Sequence, residues 1–343
     1  MSNFIYKDGE LHAEDVSLLE IAKRHNTPCY VYSKKAIDTK YVEFNSAFTS
    51  ENHLVCYAVK ANSNISILNI LAKMGSGFDI VSSGELFRVL QAGGNPSKVV
   101  FSGVGKRVDE MKFALDANIK CFNVESESEL VKLNMVAERM NLHAPVSLRV
   151  NPDVDAKTHP YIATGLKENK FGISSESAKD IFKQAVKMKN INLVGIDCHI
   201  GSQISDLNPF HDALKVLFNL ISDLKEIGID LKHIDIGGGL GITYKDEAPP
   251  KAMEFVQSIT QTVFGRIIKK HNLEIIMEPG RSIVGNAGVL LTKVEYLKVG
   301  NFAIVDAAMN DLIRPSLYDS WHDIKNIEEE SEAIKERIYD IVG

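Results

Sequence analysis

The chain has 343 residues, 45% hydrophobic and 24% charged, which is an ordinary globular composition. Its formal net charge of −6 gives no basic footprint for nucleic acid, and no apolar run approaches the roughly 20 residues of a membrane span. The first residues, Met1 to Asp8, carry no signal-peptide pattern, so a cytoplasmic protein is expected.

Taken in chain order, Phe4 to Tyr6 and Cys29 to Tyr32 are strand candidates with a short helix between them; Pro28 fits entry into the second strand. An amphipathic helix follows over about 36–48. Eight short apolar strands then recur at 55–59, 78–81, 99–101, 121–124, 146–150, 193–198, 233–236 and 275–277. Helical patterns fill the intervals at about 65–74, 83–92, 107–117, 126–140, 176–188, 208–227 and 251–271. One loop, Asn151 to Ser175, carries Pro152, Pro160, Gly165 and Gly172 without a period, and loops of that length are usually functional or disordered. Beyond Gly280 two more strands are expected, at Val289 to Tyr296 and Asn301 to Asp306. From Ile324 the chain turns acidic, helical or loop-like, before a last strand candidate at Ile338 to Val342.

Strand–helix alternation implies a parallel sheet, because parallel strands need a crossover. Eight repeats suit a closed (β/α)8 TIM barrel, with β structure from both chain ends beside it. A doubly wound open sheet is the alternative, but its Gly-rich turn follows the first strand, whereas here the glycines follow the seventh. Cys29, Cys56, Cys121 and Cys198 are far apart, with no CxxC spacing, so neither a zinc site nor a redox pair is suggested. Buried free thiols are expected instead.

The chemistry gathers at the carboxyl ends of these strands. Lys60 ends the first; if buried, its amine would lose charge and become nucleophilic, although a snorkelling lysine would look the same. Asp79 ends the second, where it could orient Lys60 or His199, or cap a loop. Arg149 ends the fifth. His199 and Ser202 follow the sixth: the histidine could lie against an aromatic cofactor or be a satisfied core residue, and the serine could donate to phosphate. Gly237 to Gly241 follow the seventh and Gly280-Arg281 the eighth; in barrels these two loops often share one phosphate, though a tight strand-to-helix turn would also need glycine. Glu278 could keep a ring nitrogen protonated or form a salt bridge with Arg281.

Together Tyr57 to Asn62, Asp79 to Glu85, His199 to Gln203, Gly237 to Gly241 and Glu278 to Arg281 resemble the barrel-type pyridoxal-phosphate decarboxylases, whose fold is a (β/α)8 barrel of the alanine-racemase-like type. The segment Ala307 to Tyr318 is similar to the diaminopimelate decarboxylases among them. The resemblance runs from the first residues to Gly343 and implies a pyridoxal 5'-phosphate cofactor and decarboxylation of meso-2,6-diaminopimelate to L-lysine and CO2. It implies that Lys60 binds the cofactor covalently, His199 stacks on its ring and Glu278 pairs with the ring nitrogen. Ser202, Gly238, Gly239, Gly280 and Arg281 would hold the cofactor's phosphate and Pro279 would also contact the cofactor, with Asp79 and Arg149 in support. Arg281, Arg314 and Tyr318 would contact substrate, and no metal is implied. A homodimer with shared active sites is also implied.

On this reading residues 1–35 begin a β domain, 36–282 form the cofactor-binding barrel and 283–343 continue the β domain. The family's Cys-Glu-Ser motif and a later tyrosine have no counterpart before Gly343, so an incomplete β domain and an impaired or inactive, cofactor-binding chain are expected. An ornithine- or arginine-type decarboxylase is a further alternative, which the Arg314 to Tyr318 segment argues against. A phosphosugar isomerase would not explain Lys60, His199 and Glu278 together, and an alanine racemase would need a catalytic tyrosine in its C-terminal domain.

Overall fold

The computed structural model describes residues 3–49, 52–155, 164–165, 169–329 and 337–343. Two compact units result: Met1–Ile37 with Thr243–Glu247 and Val284–Gly343, and Asp38–Ile242 with Ala248–Ile283.

The second unit is the barrel. Its strands are β1 (His53–Ala58), β2 (Gly77–Ile80), β3 (Val99–Phe101), β4 (Cys121–Val124), β5 (Ala144–Asn151), β6 (Ile191–Asp197), β7 (His233–Asp235) and β8 (Glu274–Met277). All pair in parallel, from β5 through β6, β7 and β8 to β1, then through β2 and β3 to β4, and β4 pairs back with β5 to close the ring. Each expected strand is present to within about two residues. The strands are apolar and almost wholly buried, as a sheet covered on both faces requires. Leu54, Cys56, Val100, Cys121, Val194 and Ile276, from five strands, pack into one buried cluster. Ser82 and Ser126 start the helices after β2 and β4 by accepting the backbone N–H of Glu85 and Glu129. The single helix expected over 251–271 is two, Ala252–Thr260 and Val263–His271. Thr262 leaves helical geometry and its hydroxyl caps the second.

Among the described residues the other unit holds three small sheets. Phe4–Lys7, Glu10–Ala13 and Val16–Ser17 form an antiparallel meander, in which the last two strands were not expected. Leu11, Ala13, Leu18 and Leu291 make its core. The strand expected from Val289 to Tyr296 is also two. Gly288–Leu291 pairs with Cys29–Tyr32, and Val294–Lys298 pairs with Phe302–Val305. The corner between them is held by Asp306, which accepts from the Thr292 hydroxyl at 2.7 Å and the Lys293 N–H at 2.9 Å. Asp340–Val342 completes that sheet in parallel. Cys56, Cys121 and Cys198 are buried free thiols as expected, whereas Cys29 is only half-buried. Much of the long loop, including Pro160, and residues 330–336 of the acidic stretch lie outside the described residues.

Candidate active site

Every polar group singled out in the barrel lies at or just past the carboxyl end of a strand, on one rim. Lys60 sits in a short turn, Val59–Ala61, after β1; Asp79 is on β2, Arg149 on β5, His199 after β6 and Glu278 after β8. Lys60 Nζ donates to Asp79 Oδ2 at 2.6 Å, so Asp79 serves the lysine. Of the two readings of Lys60, an amine freed by burial and a snorkelling lysine, the resting structure favours the second. Desolvation does pull the ammonium down, but the charge and hydrogen bond of Asp79 oppose it most strongly, and Lys60 is held above its ordinary value. The lysine side chain is 47% exposed, so it is solvated as well as paired.

Arg149 donates from Nη1 to Glu125 Oε1 at 2.7 Å and from Nη2 to the carbonyl of His199 at 3.3 Å. It therefore ties the ends of β4, β5 and β6 together. The Gly238 N–H donates to His199 Nδ1 at 3.2 Å. A ring nitrogen that accepts carries no proton, so the imidazole is neutral with its proton on Nε2. Burial and the charges of Arg149 and Lys60 push it well below its ordinary value, in agreement.

The glycine turn after β7 is dictated by close approach. A Cβ on Gly238 would stand 2.1 Å from the carbonyl oxygen of Glu278; one on Gly239, at φ +104°, would stand 2.4 Å from that of Gly201. The Pro279 carbonyl accepts from the Ala58 N–H at 3.1 Å and locks β8's end to β1's. Gly280 abuts Ala58 and Ala61, close beside Lys60. The Arg281 guanidinium donates to Ser202 Oγ at 3.3 and 3.2 Å. A cation and a hydroxyl beside a bare-backbone turn form a donor set suited to a phosphate ester.

A family model described as "Pyridoxal-dependent decarboxylase, pyridoxal binding domain" matches residues 34–285. A diaminopimelate decarboxylase of Pseudomonas aeruginosa is 54% identical over 346 residues, covering 100% of this chain and 82% of the relative. One of Vibrio cholerae is 54% identical over 348 residues, with the same coverage. The chain belongs to the diaminopimelate decarboxylase family. A crystal structure of the Helicobacter pylori member, complexed with L-lysine, superposes with TM-score 0.85 at 44% identity, over 89% of this chain and 76% of that one.

Within this family member the structure gathers Lys60, Asp79, Arg149, His199, Ser202, Gly238, Gly239, Glu278, Pro279, Gly280 and Arg281 into one unit. Arg314 and Tyr318 belong to the other unit. They lie on the short helix Arg314–Tyr318, where the guanidinium stacks 5.5 Å from the Tyr318 ring and 5.0 Å from that of Tyr244. Sequence reasoning missed Ser102, Asn123, Glu125, Asp197 and Asp235. Asn123 Nδ2 and Ser102 Oγ donate to Glu278 Oε1 at 3.3 and 3.5 Å. Asp197, Asp235 and Glu278 each bring a carboxylate oxygen within 4.8 Å of the others. The available signal was a carboxylate or amide inside an apolar strand, as at Asn123, Asp197 and Asp235.

Proposed function

We propose that this chain decarboxylates meso-2,6-diaminopimelate to L-lysine and CO2 with pyridoxal 5'-phosphate. The observation that carries the reading is the shared rim of Lys60, His199 and Glu278, an amine, a flat neutral ring and a carboxyl group, each just past the carboxyl end of a barrel strand. When bound, the cofactor supplies a protonated heteroaromatic ring that accepts the electron pair left by the departing carboxylate.

The residues perform the remaining work. Lys60 would hold the cofactor covalently through its amine; before the cofactor binds, Asp79 keeps the lysine aimed and protonated. His199, neutral, offers an uncharged face to the ring, which avoids repelling a cationic heterocycle. Glu278 holds the proton of the ring nitrogen. Ser202, Arg281 and the backbone of Gly238, Gly239 and Gly280 bind the phosphate, with Pro279 fixing the turn. Arg149 supports the loop carrying His199. Arg314, Tyr318 and Arg281 read the substrate, an arginine being suited to a second carboxylate because it binds bidentately. Residues 36–282 are the cofactor-binding barrel on this reading, and 1–35 and 283–343 the β domain. We place the enzyme in the cytoplasm as a homodimer; no helix of the described residues is long and apolar enough to cross a membrane.

The test is CO2 release from meso-diaminopimelate, L-ornithine and L-arginine, with the cofactor trapped by borohydride and located by peptide mass spectrometry. Label on Lys60 and CO2 from diaminopimelate alone are expected. Label elsewhere, or faster release from ornithine, would overturn the assignment.

A further inference from the structure

Five carboxylates and two cations meet beneath the rim. Asp79 on β2 is paired with Lys60 at 2.6 Å, and Glu125 after β4 with Arg149 at 2.7 Å. Asp197 on β6 lies 3.8 Å from Nε of the same arginine. Asp235 on β7 and Glu278 after β8 form no ion pair of their own among the described residues. Asp235 Oδ1 accepts the Gly237 N–H at 2.9 Å, but Oδ2 is buried and meets no donor among the described residues. The same holds for Oδ1 of Asp197 and Oδ1 of Asp79; of these three residues, Asp235 alone has no cation paired with it among the described residues. Glu278 Oε1 takes the Asn123 amide and the Ser102 hydroxyl. An orphaned acceptor beside a second carboxylate is satisfied by a proton held between them. Two buried carboxylates this close do not both ionise.

We propose that Asp235 is a positioning residue that keeps one proton on the Asp235–Glu278 pair before the cofactor arrives, so that Glu278 delivers the ring-nitrogen proton instead of solvent. This rests on reading Glu278 as the partner of that nitrogen. The transfer balances: the Glu278 O–H bond breaks, its electron pair stays on the carboxylate, and an N–H bond forms on the ring. Cation and anion appear together, with no change in net charge. The electrostatics agree. Desolvation, then Asp235, Asp79 and Asp197, push Glu278 well up against the opposing pull of Lys60, and desolvation first of all lifts Asp235 to about 6.

Protons taken up on binding pyridoxal phosphate can be counted by titrating the apoprotein in buffers of different ionisation enthalpy. Wild type and variant are compared at one pH near neutral, so the protonation of the free cofactor cancels in the difference. Asp235→Asn removes the largest charge that keeps the proton on Glu278, desolvation and the other carboxylates remaining, so this variant is expected to take up more protons than wild type, up to one per site. Equal counts would overturn the proposal; an aspartate acting only through packing would weaken binding and leave the count alone. A second measurement needs no Asp235 variant. Difference infrared spectra of wild type are expected to lose a carboxylic-acid carbonyl band on cofactor binding, and Glu278→Gln is expected to lack it; no lost band in wild type refutes the proposal. A Glu278→Gln enzyme with undiminished turnover would instead remove the ring-nitrogen reading itself.

Discussion

Lys60 Nζ stands 2.6 Å from Asp79 Oδ2, a half-exposed cation paired with a carboxylate that has no solvent exposure. The pairing keeps the resting amine protonated and aimed, against the desolvation that would otherwise neutralise it. Asp79→Asn keeps the shape and removes the charge. The pH midpoint for reductive alkylation of Lys60 by a small aldehyde, followed by peptide mass spectrometry, is therefore expected to fall. A midpoint that stays in place or rises would show that Asp79 does not govern the amine.

Gly238→Ala would drive a Cβ to 2.1 Å from the Glu278 carbonyl oxygen, and backbone cannot yield as a side-chain tip does. A cost of about 1–3 kcal/mol in urea unfolding is expected, together with loss of cofactor retention on gel filtration. Gly105→Ala meets no atom within 4 Å and should stay within about 0.5 kcal/mol of wild type. Similar stabilities for the two variants would mean that the turn relaxes freely.

The barrel was legible because its strands and helices carry two distinct periods and its strands are buried on both faces. What escaped was set by interactions that periodicity does not encode. The hairpin between Phe4–Lys7 and Glu10–Ala13 turns on Asp8 and Gly9, both at positive φ, an Asp-Gly signal whose second strand, Glu10–Ala13, is only half apolar and did not stand out. The corner near Thr292 depends on Asp306, 14 residues away. In the site, residues after strand ends stood out, while Asp197 and Asp235 lay inside apolar strands and read as β positions. The choice between a freed and a charged Lys60 stayed open for a related reason: its two carboxylate neighbours come from other strands, so only the closed ring reveals them.

Arg314 stacks on Tyr244 and Tyr318, which orients a planar fork as well as a charge. Arg314→Lys keeps the charge and loses the fork. KM for meso-diaminopimelate is expected to rise roughly tenfold or more, on the order of 1.5–3 kcal/mol for a hydrogen bond to a charged group, with a smaller change in kcat. A fall in kcat at constant KM would place Arg314 in another role.

Asp235 also gives the fold a pH dependence of definite sign. Its carboxyl is lifted from 3.8 to about 6, by desolvation before any other cause. Between those values the folded chain holds a proton that the unfolded chain has released, so fewer protons are bound on unfolding and stability must fall as pH rises. The contribution is fully present below about pH 4 and lost above about pH 6. A difference near 2 units corresponds to on the order of 3 kcal/mol. Asp235→Asn cannot titrate. In urea unfolding of the apoprotein, the stability of wild type relative to this variant is expected to decline by that order between pH 4 and pH 6. Parallel pH profiles for the two proteins would mean that Asp235 itself holds no proton in the folded state between pH 4 and pH 6.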